Sequence, residues 1–171
     1  FHLKKAGMEQ LSVALSVSDA PGPGGVDLAV LFQESASKAG IEVAVERMPN
    51  DGYWSDVWLK KPFCYSGWGQ RPTADIIFTL AYASKGDWNE SHFEHERFNK
   101  LLVDARSELD EKKRGELYFE MQRILRDEGF VIIPFFRNWV YARRANVAHD
   151  DNLSASWPLD GARGAERWWF S

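Results

Sequence analysis

The chain has 171 residues, a formal net charge of −4, 44% apolar and 14% aromatic residues, and one cysteine. A length of this order fits a single domain, and the apolar content is that of a core-forming protein, which excludes disordered, collagen-like and low-complexity chains. The lack of a basic excess argues against nucleic-acid binding. The sequence has no apolar run of 18 residues that would span a membrane and no cysteine pair for a disulfide or CxxC metal site.

The first 46 residues carry the pattern of a βαβ unit. Residues 1–8 are typical of the last turn of a helix followed by Gly7, so the chain is expected to be a processed or truncated piece of a longer protein. Apolar and polar residues then alternate over residues 11–17 and again over 41–45, which predicts two strands. Helical spacing over residues 26–39, with Leu28, Leu31 and Phe32 on one face, predicts the helix that joins two parallel strands.

Aromatic residues dominate the next segments. Spacing over residues 53–61 predicts a short amphipathic helix that ends at Pro62, and residues 63–68 (FCYSGW) are a strand candidate. A polar break then leads to a helix over residues 73–83, with Thr73 as its N-cap.

Two further helices are predicted as a hairpin. Ser91 and Glu94 have capping-box spacing at the start of the first, and Asp110 caps the second, which covers residues 111–128. Residues 130–136 (FVIIPFF) read as a buried strand at a sheet edge, because of Pro134, and residues 138–142 as a weaker strand. From Val147 onward no periodicity is visible.

A ligand-like group of residues follows the aromatic strand candidate. Tyr65, Trp68 and Arg71 lie at its end, and Trp54 precedes it. In open α/β sheets ligands bind beyond the carboxyl ends of strands, in pockets with aromatic walls and a few polar groups. We therefore predict Trp54, Tyr65, Trp68 and Arg71 as ligand-binding residues. The alternative is that the aromatic residues are core and Arg71 a surface charge.

Three other motifs favour structural interpretations. In a helix, His92 and Glu96 share a face while His95 is turned away, so the HFEHE run lacks a metal-ligand set. Cys64 in an aromatic strand is typical of a small buried side chain. Residues 22–25 (GPGG) lack the Lys-Ser/Thr end of a phosphate loop and read as a turn.

We predict no catalytic residue, metal or cofactor. A small metal- or cysteine-dependent hydrolase and a protein-interaction module are the alternatives.

Five motifs in order resemble a known family. They are LSVALSV, SASKAGIEVAVER, DGYWSDVWLKK, CYSGW and RGELYFEMQRILRDEGFVIIPFF. Together they resemble the C-terminal lobe of the family 5 extracellular solute-binding proteins, the dipeptide-, oligopeptide- and nickel-binding receptors of ABC importers.

The resemblance implies one α/β lobe of a periplasmic-binding-protein type II fold, with a mixed sheet flanked by helices. Residues 1–146 would form this lobe, and residues 147–171 a tail that returns to a missing N-terminal lobe. It also implies a non-enzymatic receptor, periplasmic or otherwise extracytoplasmic, that delivers a solute to an ABC permease. The solute would be a peptide, an opine-like compound or another amino-acid-derived compound.

The sequence departs from the resemblance at one position. Peptide receptors of the family have an Asp shortly after the Gly-Trp pair that binds the ligand's ammonium group, whereas Gly67-Trp68 is followed by Gly69, Gln70 and Arg71. A guanidinium pairs with a carboxylate or phosphate and repels an ammonium group. We therefore expect a solute with an anionic group near Trp68.

Overall fold

The computed structural model describes residues 1–154 and 156–171, which divide into two compact units, Phe1–Trp68 and Gly69–Ser171. The α/β fold class is confirmed. The described residues form one parallel and one antiparallel pair of strands in separate two-stranded sheets, so the expected mixed sheet is not formed among them. Within the described residues, no helix combines the length and apolarity needed to cross a bilayer.

The first unit is the predicted βαβ arrangement. Its elements are α1 (His2–Lys5), β1 (Leu11–Val17), α2 (Gly25–Ser37), β2 (Ile41–Arg47) and α3 (Tyr53–Asp56). The strands β1 and β2 are parallel and pair along their whole length, from Leu11 with Ile41 to Val17 with Arg47. The prediction of two parallel strands with a helical crossover is therefore confirmed.

The core of this unit lies between α2 and the sheet. Its buried members are Leu15, Val17, Ala29, Ala36 and Val43. Leu31 was expected on the inner face of α2 but is 64% exposed, so that expectation is wrong. A sheet of two strands is narrow and covers only a thin stripe of the helix, which runs through Ala29 and Ala36.

The helix α3 is shorter than the sequence pattern predicts. It ends at Asp56, and Leu59 has a φ of 60°, so the helix expected over residues 53–61 is wrong beyond its first turn. The strand candidate over residues 63–68 is reduced to a single parallel bridge between Cys64 and Ser16 of β1.

The second unit is mainly helical. Its elements are α4 (Ala74–Ala81), α5 (Glu96–Ser107), α6 (Glu111–Glu128), β3 (Val147–His149), α7 (Pro158–Ala162), α8 (Gly164–Arg167) and β4 (Trp168–Phe170). Buried side chains from α4, α5 and α6, among them Phe78, Phe98, Leu101 and Met121, form its core. Burial and, to a lesser extent, the charge of Glu90 raise the pKa of Tyr82 to about 12.

Two of the three predicted helix caps are present. Thr73 Oγ1 accepts the Ile76 N–H at 3.4 Å, and Asp110 Oδ1 accepts the N–H groups of Lys112 and Lys113 at 2.9 and 3.0 Å. The capping box at Ser91 and Glu94 is wrong, because α5 begins at Glu96.

The start of α5 is displaced by a local turn. The Asn89 side chain accepts the Phe93 N–H at 3.0 Å and donates to the Phe93 carbonyl at 2.8 Å, which holds residues 89–93 outside a helix. His95 then caps α5, because its Nδ1 accepts the Phe98 N–H at 3.1 Å.

The predicted strands over residues 130–136 and 138–142 are wrong. All of these residues are described, and they form neither helix nor strand. Their large side chains are exposed, to 89% for Phe136. A strand requires a neighbour for its backbone groups, and no neighbouring strand among the described residues pairs with this segment.

The last residues of the chain pair with one another. β3 and β4 are antiparallel, with Val147 opposite Phe170 and His149 opposite Trp168. Buried Asp160 accepts the Ser154 N–H at 2.7 Å and lies 3.1 Å from Arg167 Nε. The segment without visible periodicity thus contains a short sheet that depends on pairing over about 20 residues.

Candidate functional site

The carboxyl end of β1 leads into a polar turn. Ser18, which is buried, donates from Oγ to Asn50 Oδ1 at 2.5 Å, and the same oxygen accepts the Asp19 N–H at 3.2 Å. The Ala20 N–H is bonded to Ser18 Oγ at 3.0 Å. These bonds join the loop after β1 to the loop after β2, so the two carboxyl ends form one edge.

The N-terminus of α2 is capped by a side chain from this turn. Asp19 Oδ1 accepts the N–H groups of Gly25 and Val26 at 2.9 and 3.4 Å. A carboxylate is favourable at this position because helix N–H groups and the helix dipole attract negative charge. The Asp19 carboxylate therefore already occupies the N-terminus of α2 that follows the turn at residues 22–25.

The segment that follows α3 lies along the end of β1. Ser16 donates its N–H to the Phe63 carbonyl at 3.0 Å, and its own carbonyl accepts the Tyr65 N–H at 2.9 Å. These two bonds bring residues 63–68 to the same edge of the sheet as the polar turn.

Glycines allow this segment to approach closely. A Cβ atom on Gly25 would lie 2.6 Å from Tyr65 Cε1 and 2.6 Å from the Ser18 carbonyl oxygen. A Cβ atom on Gly67 would lie 2.7 Å from the Pro21 carbonyl oxygen. The Tyr65 ring therefore lies directly on the start of α2, where no side chain fits.

Trp54 of α3 and Trp58, which follows this helix, form an aromatic pair. Their ring centroids are 5.5 Å apart at an interplanar angle of 82°, a T-shaped geometry. Trp54 is 45% exposed and Tyr53, next to it, is buried. An accessible indole thus lies in α3, four residues after Asn50 of the polar turn. We call Trp54, Tyr65 and Trp68 the aromatic surface.

Several solved structures are similar to this chain. HbpA2 from Haemophilus parasuis is 20% identical, with a TM-score of 0.62, over 74% of this chain and 27% of that one. The ABC transporter-associated periplasmic binding protein DppA from Helicobacter pylori, in complex with the peptide STSA, is 25% identical with a TM-score of 0.57 over 74% and 26%. The chain has the periplasmic-binding-protein fold.

A third match has a different ligand. NikZ from Campylobacter jejuni, in complex with Ni(L-His), is 22% identical with a TM-score of 0.55, over 68% of this chain and 24% of that one. The chain spans about a quarter of the length of these three structures. No protein-family model and no curated protein matches the sequence. The matches to these solved structures confirm the fold that the motif resemblance implies.

Three of the four predicted site residues belong to the first unit. Trp54 follows the first residue of α3, and Tyr65 and Trp68 lie on the segment beside β1. Arg71 belongs to the second unit, where its Nη1 donates to the carbonyls of Gly69 and Gln70 at 2.9 and 3.4 Å. The ligand-binding roles of all four residues stay predictions.

Sequence reasoning missed the polar part of this edge. The sequence pattern gives Ser18 only as a polar position of the first strand, Asp19 and Asn50 only as turn residues, and Tyr53 only as one position of an amphipathic helix. A signal was available for Asp19, since a polar residue directly after a buried parallel strand lies at the edge where this fold binds ligands. No local signal identifies Asn50, whose partner is 32 residues away.

The other candidate motifs have structural roles. His95 caps α5 and lies 3.2 Å from Glu128 through Nε2. Cys64 is half-buried and lies at the bridge to Ser16. Among residues 1–154 and 156–171, no group of three or more His, Cys, Asp or Glu side chains is arranged to hold a metal.

Proposed function

We propose that the chain is the C-terminal lobe of a substrate-binding protein of an ABC importer, a receptor without catalytic activity. The observation that carries this proposal is the match of about three quarters of the chain to periplasmic binding proteins at TM-scores near 0.6. Tyr65 of the aromatic surface supports it, because its N–H is bonded to Ser16 near the end of β1 and open α/β sheets bind small molecules beyond their strand ends.

The proposed ligand is a peptide or peptide-like solute. The structure of DppA contains a peptide, and that of NikZ contains a nickel–histidine complex, so both hold amino-acid-derived ligands. An indole and a phenol ring offer flat apolar walls to such compounds. The receptor would act outside the cytoplasmic membrane and deliver the solute to a permease.

The remainder of the receptor would cover the exposed apolar residues of the second unit. A nearly continuous apolar run such as FVIIPFF is typical of strands buried on both faces of an α/β sheet. A second lobe of the same polypeptide would supply these neighbours. In this proposal residues 1–146 form one lobe, and residues 147–171 return to the other.

A titration with a defined peptide tests the site. The probe is Ser-Thr-Ser-Ala, added to the isotope-labelled 171-residue chain and followed by NMR. A two-lobed receptor encloses its ligand from both sides, so half a site should bind with a dissociation constant of about a millimolar or weaker. We expect shifts at Trp54, Tyr65 and Trp68, and none at exposed Trp157. Micromolar affinity, or shifts confined to the second unit, would contradict the proposal.

A variant of Arg71 tests the ligand charge. In the complete receptor, Arg71→Ala should weaken a peptide with a free carboxylate by about 2–5 kcal/mol if the pair is buried. The amidated form of the same peptide is the matched control and should lose little. Equal affinity of wild type and variant for the free carboxylate would show that Arg71 only bonds the nearby carbonyls.

The coding sequence upstream of residue 1 provides an independent test. We expect it to encode a second α/β lobe preceded by an export signal. An upstream sequence without such a lobe would overturn the proposed function.

A further inference from the structure

We propose that Tyr53 is the positioning residue of the aromatic surface, because its buried hydroxyl group fixes residues 63–68 on β1. The functional meaning of this role rests on the proposed function, since that proposal makes the aromatic surface a binding site. The contacts themselves can be tested without any ligand.

The Tyr53 hydroxyl lies between two backbone carbonyl oxygens. It is 2.7 Å from the Tyr65 carbonyl and 3.1 Å from the Ser16 carbonyl, and the residue is 1% exposed. Its single proton is shared between the two acceptors, with the shorter contact to Tyr65. The Ser16 carbonyl also accepts the Tyr65 N–H at 2.9 Å, so Tyr53, Ser16 and Tyr65 form one closed polar cluster.

This cluster matters because residues 63–68 are weakly paired with the sheet. β2 pairs with β1 along all seven residues, whereas this segment forms a single bridge at Cys64. A segment with so few ladder bonds opens locally more readily than a full strand. The buried hydroxyl adds a bond to the partly buried Tyr65 carbonyl, and loss of this donor is expected to be destabilising.

Tyr53 is connected both to Trp54 and to Tyr65 of the aromatic surface. Tyr53 is the first residue of α3, and Trp54 follows it directly. Its hydroxyl holds the peptide group of Tyr65, whose ring lies on Gly25. Tyr53 therefore links the backbone next to Trp54 to the backbone of Tyr65, in addition to the bonds from Ser16.

The test compares two backbone N–H groups in Tyr53→Phe. This variant keeps the ring and removes only the hydroxyl. The probe is the Tyr65 N–H, bonded to Ser16, and the internal control is the Met48 N–H, which donates to the Val17 carbonyl at 2.7 Å. We expect hydrogen exchange at Tyr65 to become about 5-fold faster and that at Met48 to change by less than about 2-fold. The indole N–H signal of Trp68 should also shift.

Tyr82→Phe is the matched control variant. It removes the hydroxyl of another buried tyrosine, in the second unit, and should leave the exchange of both N–H groups and the Trp68 signal unchanged. An equal increase at Tyr65 and Met48 in Tyr53→Phe would show that Tyr53 is only a core residue. No change at either group would show that the hydroxyl does not hold the segment.

A measurement on the unmodified chain covers the case in which Tyr53→Phe does not fold. The Tyr53 hydroxyl proton should give a separate, slowly exchanging NMR signal, and its absence would overturn the proposal. Since none of these measurements uses a ligand, failed peptide binding and failed positioning are distinguishable.

Discussion

β1 and residues 130–136 are both mainly apolar, but only β1 forms a strand. Both are seven-residue segments rich in Val, Leu, Ile or Phe. β1 pairs with β2 along its whole length, and its second half is buried. Residues 130–136 form no strand, and most of their side chains are exposed.

The difference lies in the neighbours that each segment finds. β1 is followed by a crossover helix and a second strand within 30 residues, which satisfy its backbone groups and cover one face. Residues 130–136 are followed by exposed residues up to Asn146. A strand is stabilised by cross-strand pairs and burial rather than by an intrinsic preference of its residues, so composition alone does not produce one.

A buried charge should separate the two segments most clearly. Val17→Asp places a carboxylate without a partner in the core of the first unit, and we expect a loss of about 4 kcal/mol or more in the free energy of unfolding. Ile133→Asp, at a position that is 55% exposed, should change stability by less than about 0.5 kcal/mol. Urea unfolding followed by circular dichroism measures both. Similar losses would mean that residues 130–136 are buried in solution.

Shortening a core side chain tests the difference between buried and exposed positions within the second unit. Met121→Ala on α6 removes a fully buried side chain, and the cavity should lower stability by about 2–5 kcal/mol. Phe119→Ala, on the same helix but exposed, is the control and should cost about 0.5 kcal/mol or less. Equal effects of the two variants would contradict the assignment of Met121 to the core.

Alkaline pH should affect the helical region that contains Tyr82. Because burial raises the pKa of this phenol to about 12, from about 10 in an unfolded chain, the unfolded state ionises first as the pH rises. The contribution of neutral Tyr82 to the free energy of unfolding is fully present below pH 10. It is lost between about pH 10 and 12, and this loss is at most about 3 kcal/mol.

The control for this effect is Tyr82→Phe, which should abolish that part of the pH dependence. Unfolding midpoints measured from pH 9 to 12 in wild type and variant give the comparison. Parallel pH profiles would contradict the burial of Tyr82.

The cap of α2 provides the smallest expected effect. Asp19→Ala removes the acceptor for the N–H groups of Gly25 and Val26 and should lower stability by about 1 kcal/mol. Asp27→Ala removes the same charge from the exposed first turn of α2 and should cost less than about 0.5 kcal/mol. Thermal unfolding measures both. Equal losses would show that charge near the helix, rather than the cap, is what stabilises this crossover.

The candidate site was only partly predictable from the sequence. Trp54, Tyr65 and Trp68 stand out because aromatic residues cluster around one strand candidate, and all three lie in the first unit. The bonds from Ser18 to Asn50 and from Tyr53 to Tyr65 were not predictable, because each joins separate segments through a single polar contact. Their residue types are also common in ordinary turns and helices.

The sequence by itself determined the elements whose signals are local. The alternation of β1 and β2, the helix between them and the caps at Thr73 and Asp110 depend on residues a few positions apart, and all are present. Only the tertiary structure decided that residues 130–136 stay unpaired, that Leu31 faces outward and that a buried hydroxyl meets the Tyr65 carbonyl. A helix satisfies its backbone within its own turns, whereas a strand or a buried polar group depends on partners elsewhere in the chain.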